Sequence, residues 1–171
     1  MSIIVKYTVF STKWGYFGIA GTETGLIRTS LPAANPEKAA MLLLSGLPDV
    51  EADKSLFKEV QEMAEAYFEG RRVDFGTGIP VILNGLSIFA RDILNTCRDI
   101  TFGNTTSYGR LAAVAGHPAA ARAAGRVMAG NPAPLIIPCH RVVCGDGRIG
   151  GFSAAGGAAM KRRLLELEIS R

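Results

Sequence analysis

Residues 134–143 of this 171-residue chain, Pro-Leu-Ile-Ile-Pro-Cys-His-Arg-Val-Val, place a thiol next to an imidazole. A free cysteine, with a pKa near ~8.5, is mostly protonated at neutral pH; an imidazole that takes its proton leaves a thiolate beside an imidazolium. That pairing is nucleophile chemistry, and it carries a geometric condition. Adjacent side chains on a regular strand point to opposite faces, so Cys139 and His140 cooperate only where the Pro138 corner bends the chain or a water spans the gap. The plainer alternative is an inert buried cysteine with a structural histidine. A zinc site from Cys139, His140, Cys144 and His117 lacks the paired C-x₂₋₄-C and H-x₃₋₅-H spacing of such sites.

The elements around this segment must place it. Ile137, before Pro138, is pushed out of the α region, so Leu135 to Ile137 is expected to be extended, and Val142-Val143 reads as strand. Upstream, Thr105-Thr106-Ser107 offers N-cap hydroxyls to a helix over Tyr108 to Ala115, with Gly116 as its stop. Pro118 is expected in the first turn of a second helix that runs to Met128 or Ala129 and ends at Gly130-Asn131-Pro132. Two short helices and a Gly-containing turn suit a helix–turn–helix. The second is rich in alanine, which permits close approach to a nucleic-acid groove, and it carries Arg122 and Arg126 on one face, where an anion would relieve their repulsion. An ordinary helical hairpin with a solvated basic face is the competing explanation.

Earlier in the chain, Ile3–Phe10, Trp14–Ala20 and Leu26–Leu31 read as strands, with Gly21–Gly25 as a hairpin loop and Val73–Phe75 as a short returning strand. Pro36–Leu44, Ser55–Phe68 and Ser87–Cys97 carry helical spacing, with Cys97 as a buried small hydrophobe. Turn residues at 76–80 mark a boundary.

Composition narrows the class: 48% hydrophobic and 20% charged residues exclude a disordered or collagenous chain. No apolar run reaches the ~18 residues of a membrane span, and the first residues lack signal-peptide order. Three cysteines cannot all pair, which points to free thiols and a cytoplasmic location. Residues 1–85 hold 8 Lys/Arg against 10 Asp/Glu and residues 86–171 hold 11 against 5, so the net +4 is a −2 half followed by a +6 half. A basic half joined to a near-neutral one suits polyanion binding.

Pro138-Cys139-His140-Arg141-Val142, preceded by Gly130-Asn131-Pro132 and followed by a Gly-rich loop and a last helix, closely resembles the O6-alkylguanine-DNA alkyltransferases, also called methylated-DNA–protein-cysteine methyltransferases. The likeness is dense from about Phe102 to Glu168. It implies an α+β fold: a small N-terminal α/β (ribonuclease-H-like) structural unit over 1–80, then a mainly helical domain over 81–171 that binds DNA and accepts the alkyl group. It also implies that Cys139 takes the alkyl group irreversibly, with His140 acting as base through a bridging water. Asn131 would tie the helix–turn–helix to the active-site segment. Tyr108 would help rotate the damaged nucleotide out and donate to the leaving guanine, and Arg122 would fill the gap in the stack. Arg122, Ala123, Arg126, Thr106 and Ser107 are the expected DNA contacts; Met128, Val142, Ile149, Gly150 and Ser153 are the expected pocket.

The resemblance also implies a carboxylate partner for the histidine in the last helix, and counting from Lys161, which matches the family's lysine there, favours Glu168. Helical geometry agrees, since Glu168 lies on the apolar side with Leu164 and Leu165, whereas Glu166 shares a face with Arg162 and Arg163. Two departures from the family pattern concern the pocket: Phe152 stands where many relatives carry tyrosine, and Ala154-Ala155 extends the loop. The structural zinc of some relatives needs N-terminal Cys and His ligands, which residues 1–85 lack, so neither metal nor cofactor is expected. The expected activity is single-turnover repair of O6-alkylguanine in double-stranded DNA by a monomer, with O4-alkylthymine left open. A non-catalytic relative that only flags alkylated bases is the alternative, though in that class the reactive cysteine is replaced. A cysteine hydrolase is a more distant option.

Overall fold

β-Branched and aromatic residues give the first third of the chain its strands. In the computed structural model, which describes residues 3–170, the chain divides into two units, Met1–Ile82 and Leu83–Arg171. In the first, β1 (Val5–Thr12), β2 (Gly15–Thr22) and β3 (Gly25–Ala33) form an antiparallel meander, and β4 (Val50–Ala52) adds in parallel to β1, giving the order β3-β2-β1-β4. The loop expected over 21–25 contracts to Glu23-Thr24, because pairing continues to Thr22↔Gly25.

Helix α1 (Pro36–Leu44) is capped by Asn35, whose side chain accepts from the Lys38 N–H. It covers one sheet face, where Leu43 is buried with Val5 and Ala20. Helix α2 (Lys58–Phe68) covers the other: Phe68 meets Phe17 and Trp14 at ring-centroid distances of 5.9 and 5.3 Å. It starts three residues later than its spacing predicts, since Asp53 caps a turn at Ser55 and Phe57 takes φ 49°. No strand forms at 73–75. Phe75 packs its ring near Tyr67, and the sheet edge is taken by β4, whose acidic Glu51 hid it from the β-propensity pattern. Residues 80–82 bond along β3 through Leu26, so the predicted boundary turn is attached to the sheet.

The second unit is mainly helical. Helix α3 (Ile88–Cys97) is capped by Ser87, and α4 (Tyr108–Val114) by Ser107, with Gly116 at φ 89° closing it. Helix α5 runs over Ala121–Ala129, so Pro118 precedes the helix and does not sit in its first turn. Ala119 adopts φ 66° and Ala120 has no side chain to cap with, so the connection lengthens at the expense of the helix. The expected extended run 135–137 is also replaced. Leu135 takes φ 77°, Pro134 bridges to Ile137, and the Ile137 N–H bonds to the Ala133 carbonyl at 2.8 Å, making a tight loop. A 3₁₀ turn over Cys139–Arg141 follows, then β6 (Val142–Val143), parallel to β5 (Thr106–Ser107), and finally α6 (Gly157–Ile169). Among the described residues no helix is long and apolar enough to cross a membrane.

Candidate active site

The 3₁₀ turn supplies the bend that the Cys-His pair requires. Its residues Cys139, His140 and Arg141 are all buried. Asn131 holds the approach to it: its Nδ2 donates to the Ile137 carbonyl at 2.8 Å, and its Oδ1 accepts from the Ala133 N–H at 3.0 Å. The asparagine thus braces the left-handed Leu135 loop and fixes where Cys139 emerges. Burial pushes the Cys139 thiol up; the Asn131 hydrogen bond, the Lys161 charge and nearby N–H groups oppose this. The resting group is a thiol, and it needs a base.

His140, the next residue in the turn, is the candidate. Its Nε2 lies 2.7 Å from Glu168 Oε1, with both side chains nearly inaccessible to solvent. The same carboxylate accepts from Arg141 Nε (3.0 Å to Oε2) and Nη2 (3.0 Å to Oε1) and from the Gly103 N–H at 3.1 Å. Arg141 is held in turn by the Ile100 carbonyl at 2.6 Å and lies over the Phe102 ring. Burial alone would raise the Glu168 carboxyl, but His140 and Arg141 outweigh it and hold the group at about 2. Glu168 is therefore a carboxylate at neutral pH and accepts from an Nε2–H of His140, which leaves Nδ1 as the basic nitrogen. Burial pushes the His140 imidazole down and the charges of Arg141 and Lys161 add to it, against the pull of Glu168. The neutral ring is the resting form.

Cys139 opens onto a cavity of about 470 Å³, within the ~300–1,000 Å³ of small-molecule sites. Helix α4 contributes Tyr108, α5 contributes Gly125, Met128 and Ala129, and the loop after β6 contributes Cys144 and residues 150–153. Ser153 closes the loop onto α5 through a hydrogen bond from its hydroxyl to the Ala129 carbonyl. Gly150, at φ 74°, passes so close that a Cβ there would lie 3.2 Å from Cys144 Sγ and 3.3 Å from the Tyr108 hydroxyl. Burial pushes the Tyr108 phenol up, so it stays a proton donor.

A family model described as 6-O-methylguanine DNA methyltransferase, DNA binding domain, matches residues 88–170, and one described as the ribonuclease-like domain of the same protein matches residues 5–82. The methylated-DNA–protein-cysteine methyltransferase of Cricetulus griseus is 37% identical over 175 residues, spanning 96% of this chain and 82% of its own. The chain belongs to the 6-O-methylguanine DNA methyltransferase family. The like-named protein of Methanosarcina acetivorans is 31% identical, over 95% of this chain and 97% of its own. A crystal structure of Mycobacterium tuberculosis OGT in complex with DNA superposes with a TM-score of 0.79 at 30% identity, covering 96% of this chain and 93% of that one.

In this methyltransferase the structure gathers Cys139, Tyr108, Met128, Gly150 and Ser153 around the cavity, and it sets Asn131, His140 and Glu168 behind Cys139. Val142 and Ile149, expected at the pocket, are not among its lining residues. Val142 is drawn inward by the β5–β6 pairing and its carbonyl accepts from Lys161, while Ile149 is half-buried in the loop beside the bare backbone of Gly150. Arg122 and Arg126 are exposed on α5 and Ala123 is half-buried. Thr106 and Ser107 form β5, with the Ser107 hydroxyl engaged by the Arg110 N–H. The zinc set is not assembled: His117 pairs with Asp92 at 2.9 Å, and among the described residues no cluster could hold a metal ion. Sequence reasoning gave no role to Arg141 or Lys161, and it weighed Cys144 only as a zinc ligand. The signal for Lys161 was present, since 161, 164, 165 and 168 form one i, i+3, i+4, i+7 stripe and only its two ends are charged.

Proposed function

We propose that this chain repairs O6-alkylated guanine in double-stranded DNA by moving the alkyl group irreversibly onto Cys139, one chain per lesion. The observation that carries it is a cysteine lining a cavity of about 470 Å³, roomy enough to admit a nucleobase, and backed by a His140–Glu168 pair at 2.7 Å. The methyl carbon is out of reach inside a stacked duplex, and flipping the nucleotide costs roughly a few kcal/mol. Helix α5 supplies the docking element, and Arg122 fills the vacated place in the stack. Arg126, Ala123 and the β5 residues Thr106 and Ser107 border the backbone.

With the base in the cavity, His140 takes the Cys139 proton through a water. The thiolate attacks the alkyl carbon, a C–S bond forms and the C–O6 bond breaks, and the electron pair departs with the guanine. Tyr108 donates to that base as it leaves, and the proton held by His140 is available to neutralise it. Glu168 holds the ring and stabilises the imidazolium, and Asn131 positions the loop. The thioether product is inert to water, so the chain is spent. Met128, Gly150 and Ser153 shape the cavity, with Val142 and Ile149 supporting the loop behind it.

We assign this chemistry to residues 81–171 and a structural role to 1–80, in a cytoplasmic monomer, as three free thiols suggest. Limiting protein added to excess duplex carrying O6-methylguanine should remove lesions until one per chain is gone. Continued turnover, or binding with no lesion removed, would overturn the assignment.

A further inference from the structure

The turn between α4 and α5 holds a residue in an unfavourable conformation. Ala119 takes φ 66°, a region disfavoured for alanine that persists only where the surroundings enforce it. The helix that follows does little to enforce it, since Ala120 stands at its N-cap with no side-chain hydrogen bond to the free N–H groups. The anchor is His117. Its imidazole is gripped by α3, where Phe89 and Asp92, three residues apart, share one face. Asp92 Oδ2 accepts from His117 Nε2 at 2.9 Å, and the Phe89 ring meets the imidazole edge-on at a centroid distance of 4.8 Å. The backbone of His117 is tied as well. Its N–H bonds to the Ala112 carbonyl of α4 at 2.8 Å, and its carbonyl accepts from the Ala120 N–H at 3.3 Å. Pro118 further limits the conformations open to His117. His117 therefore joins α3, α4 and the start of α5. With side chains 32% and 42% exposed, the His117–Asp92 pair adds little to overall stability, so its effect is on geometry.

We propose that His117 is a positioning residue for base extrusion: seated between Phe89 and Asp92, it fixes the direction in which α5 leaves the turn and so delivers Arg122 to the base stack. This rests on the repair function assigned above. Arg122 is the second residue of α5 and its side chain is exposed, so the path of the turn decides where it starts. A swing of α5 about an unanchored turn would carry Arg122 away from the stack. Met128, at the far end of the same helix, is buried and would keep its place in the cavity wall. The seat of His117 thus acts on drawing a base out of a duplex and not on chemistry with a base already free. Misplacement of a group far from the reacting atoms is enough to slow such a step strongly.

The test uses His117→Ala, Asp92→Ala and the double variant in the full chain. Single-turnover methyl transfer from duplex carrying O6-methylguanine is followed by peptide mass over a range of duplex concentrations. Each single variant should lower the limiting rate about tenfold, and the double variant no further. In His117→Ala the half-saturating duplex concentration, the melting temperature and transfer from free O6-methylguanine base should stay near wild type. A wild-type limiting rate in either folded single variant would overturn the proposal, as would losses that multiply in the double variant or that appear equally on the free base. A log–log salt slope of duplex binding reduced by about one in His117→Ala would also overturn it, since that marks a direct phosphate contact. The wild-type chain is run in parallel on both substrates. Its failure on both would contradict the repair assignment; the anchoring of α5 is then judged by hydrogen exchange at residues 121–124 without DNA. His117→Ala should accelerate that exchange, and unchanged exchange would remove the anchor.

Discussion

At the scale of single residues, reactivity and burial pull against each other. A buried thiol resists ionisation, and the chain answers with a neutral histidine in a fixed tautomer and a carboxylate that cannot be protonated near neutrality. The rate of Cys139 alkylation by methylated duplex should therefore fall on the acid side with a midpoint below the ordinary histidine value of 6.5; a midpoint above 6.5 would show that His140 is not the base. Arg141→Leu removes the cation that shares Glu168 and leaves the carboxylate against His140 and one N–H. It should cost about 3–5 kcal/mol in urea unfolding, the usual penalty for breaking a buried pair. The Cys-His pair was legible as nucleophile chemistry, and Glu168 through the family resemblance, with its helical spacing in agreement. The positions of Arg141 and Lys161 were not, because a cation in an apolar stripe acquires meaning only from partners brought in by other elements.

At the scale of elements, α5 and the loop before the 3₁₀ turn decide what the residues can do. Helix α5 sends Met128 inward to the cavity and Arg122 and Arg126 outward, so one short helix joins the pocket to the solvent face. Arg122→Ala should slow repair in duplex DNA by about tenfold or more while leaving transfer from a free O6-alkylguanine base near wild type; equal losses on both substrates would remove its role in the stack. Duplex affinity should fall steeply with salt, and Arg126→Ala should lower the log–log slope by about one. The loop shows why local pattern misled. Leu135 to Ile137 has strand residues, yet Asn131 bonds to Ala133 before the segment and to Ile137 at its end and curls it. Tertiary hydrogen bonding overrode β-propensity there, as the unfavourable φ of Ala119 overrode the placement of Pro118.

At the scale of the molecule, the sequence reading put a boundary at the turn residues 76–80, and the chain divides between Ile82 and Leu83; β4 was not legible, since three residues pairing in parallel with β1 carry no periodic signature. The buried ionisable groups also set an acid limit on the whole fold. Glu168 titrates at about 2 when folded against an ordinary 4.5, and His140 is held below 6.5. Both folded-state values are depressed, so their stabilisation is present above the unfolded values and is lost as pH falls, beginning below 6.5 and continuing from 4.5 towards 2. Denaturation midpoints measured between pH 7 and 3 should decline over that window, and Glu168→Gln should flatten its lower part.

The most direct measurement joins these scales. The chain is incubated with duplex DNA carrying O6-methylguanine, and its intact mass and peptide masses are recorded. One methyl, located on Cys139 as a thioether and absent in Cys139→Ala, is the predicted result. A chain that binds the duplex and emerges unmodified, or one methylated on Cys144 with Cys139 free, would contradict it.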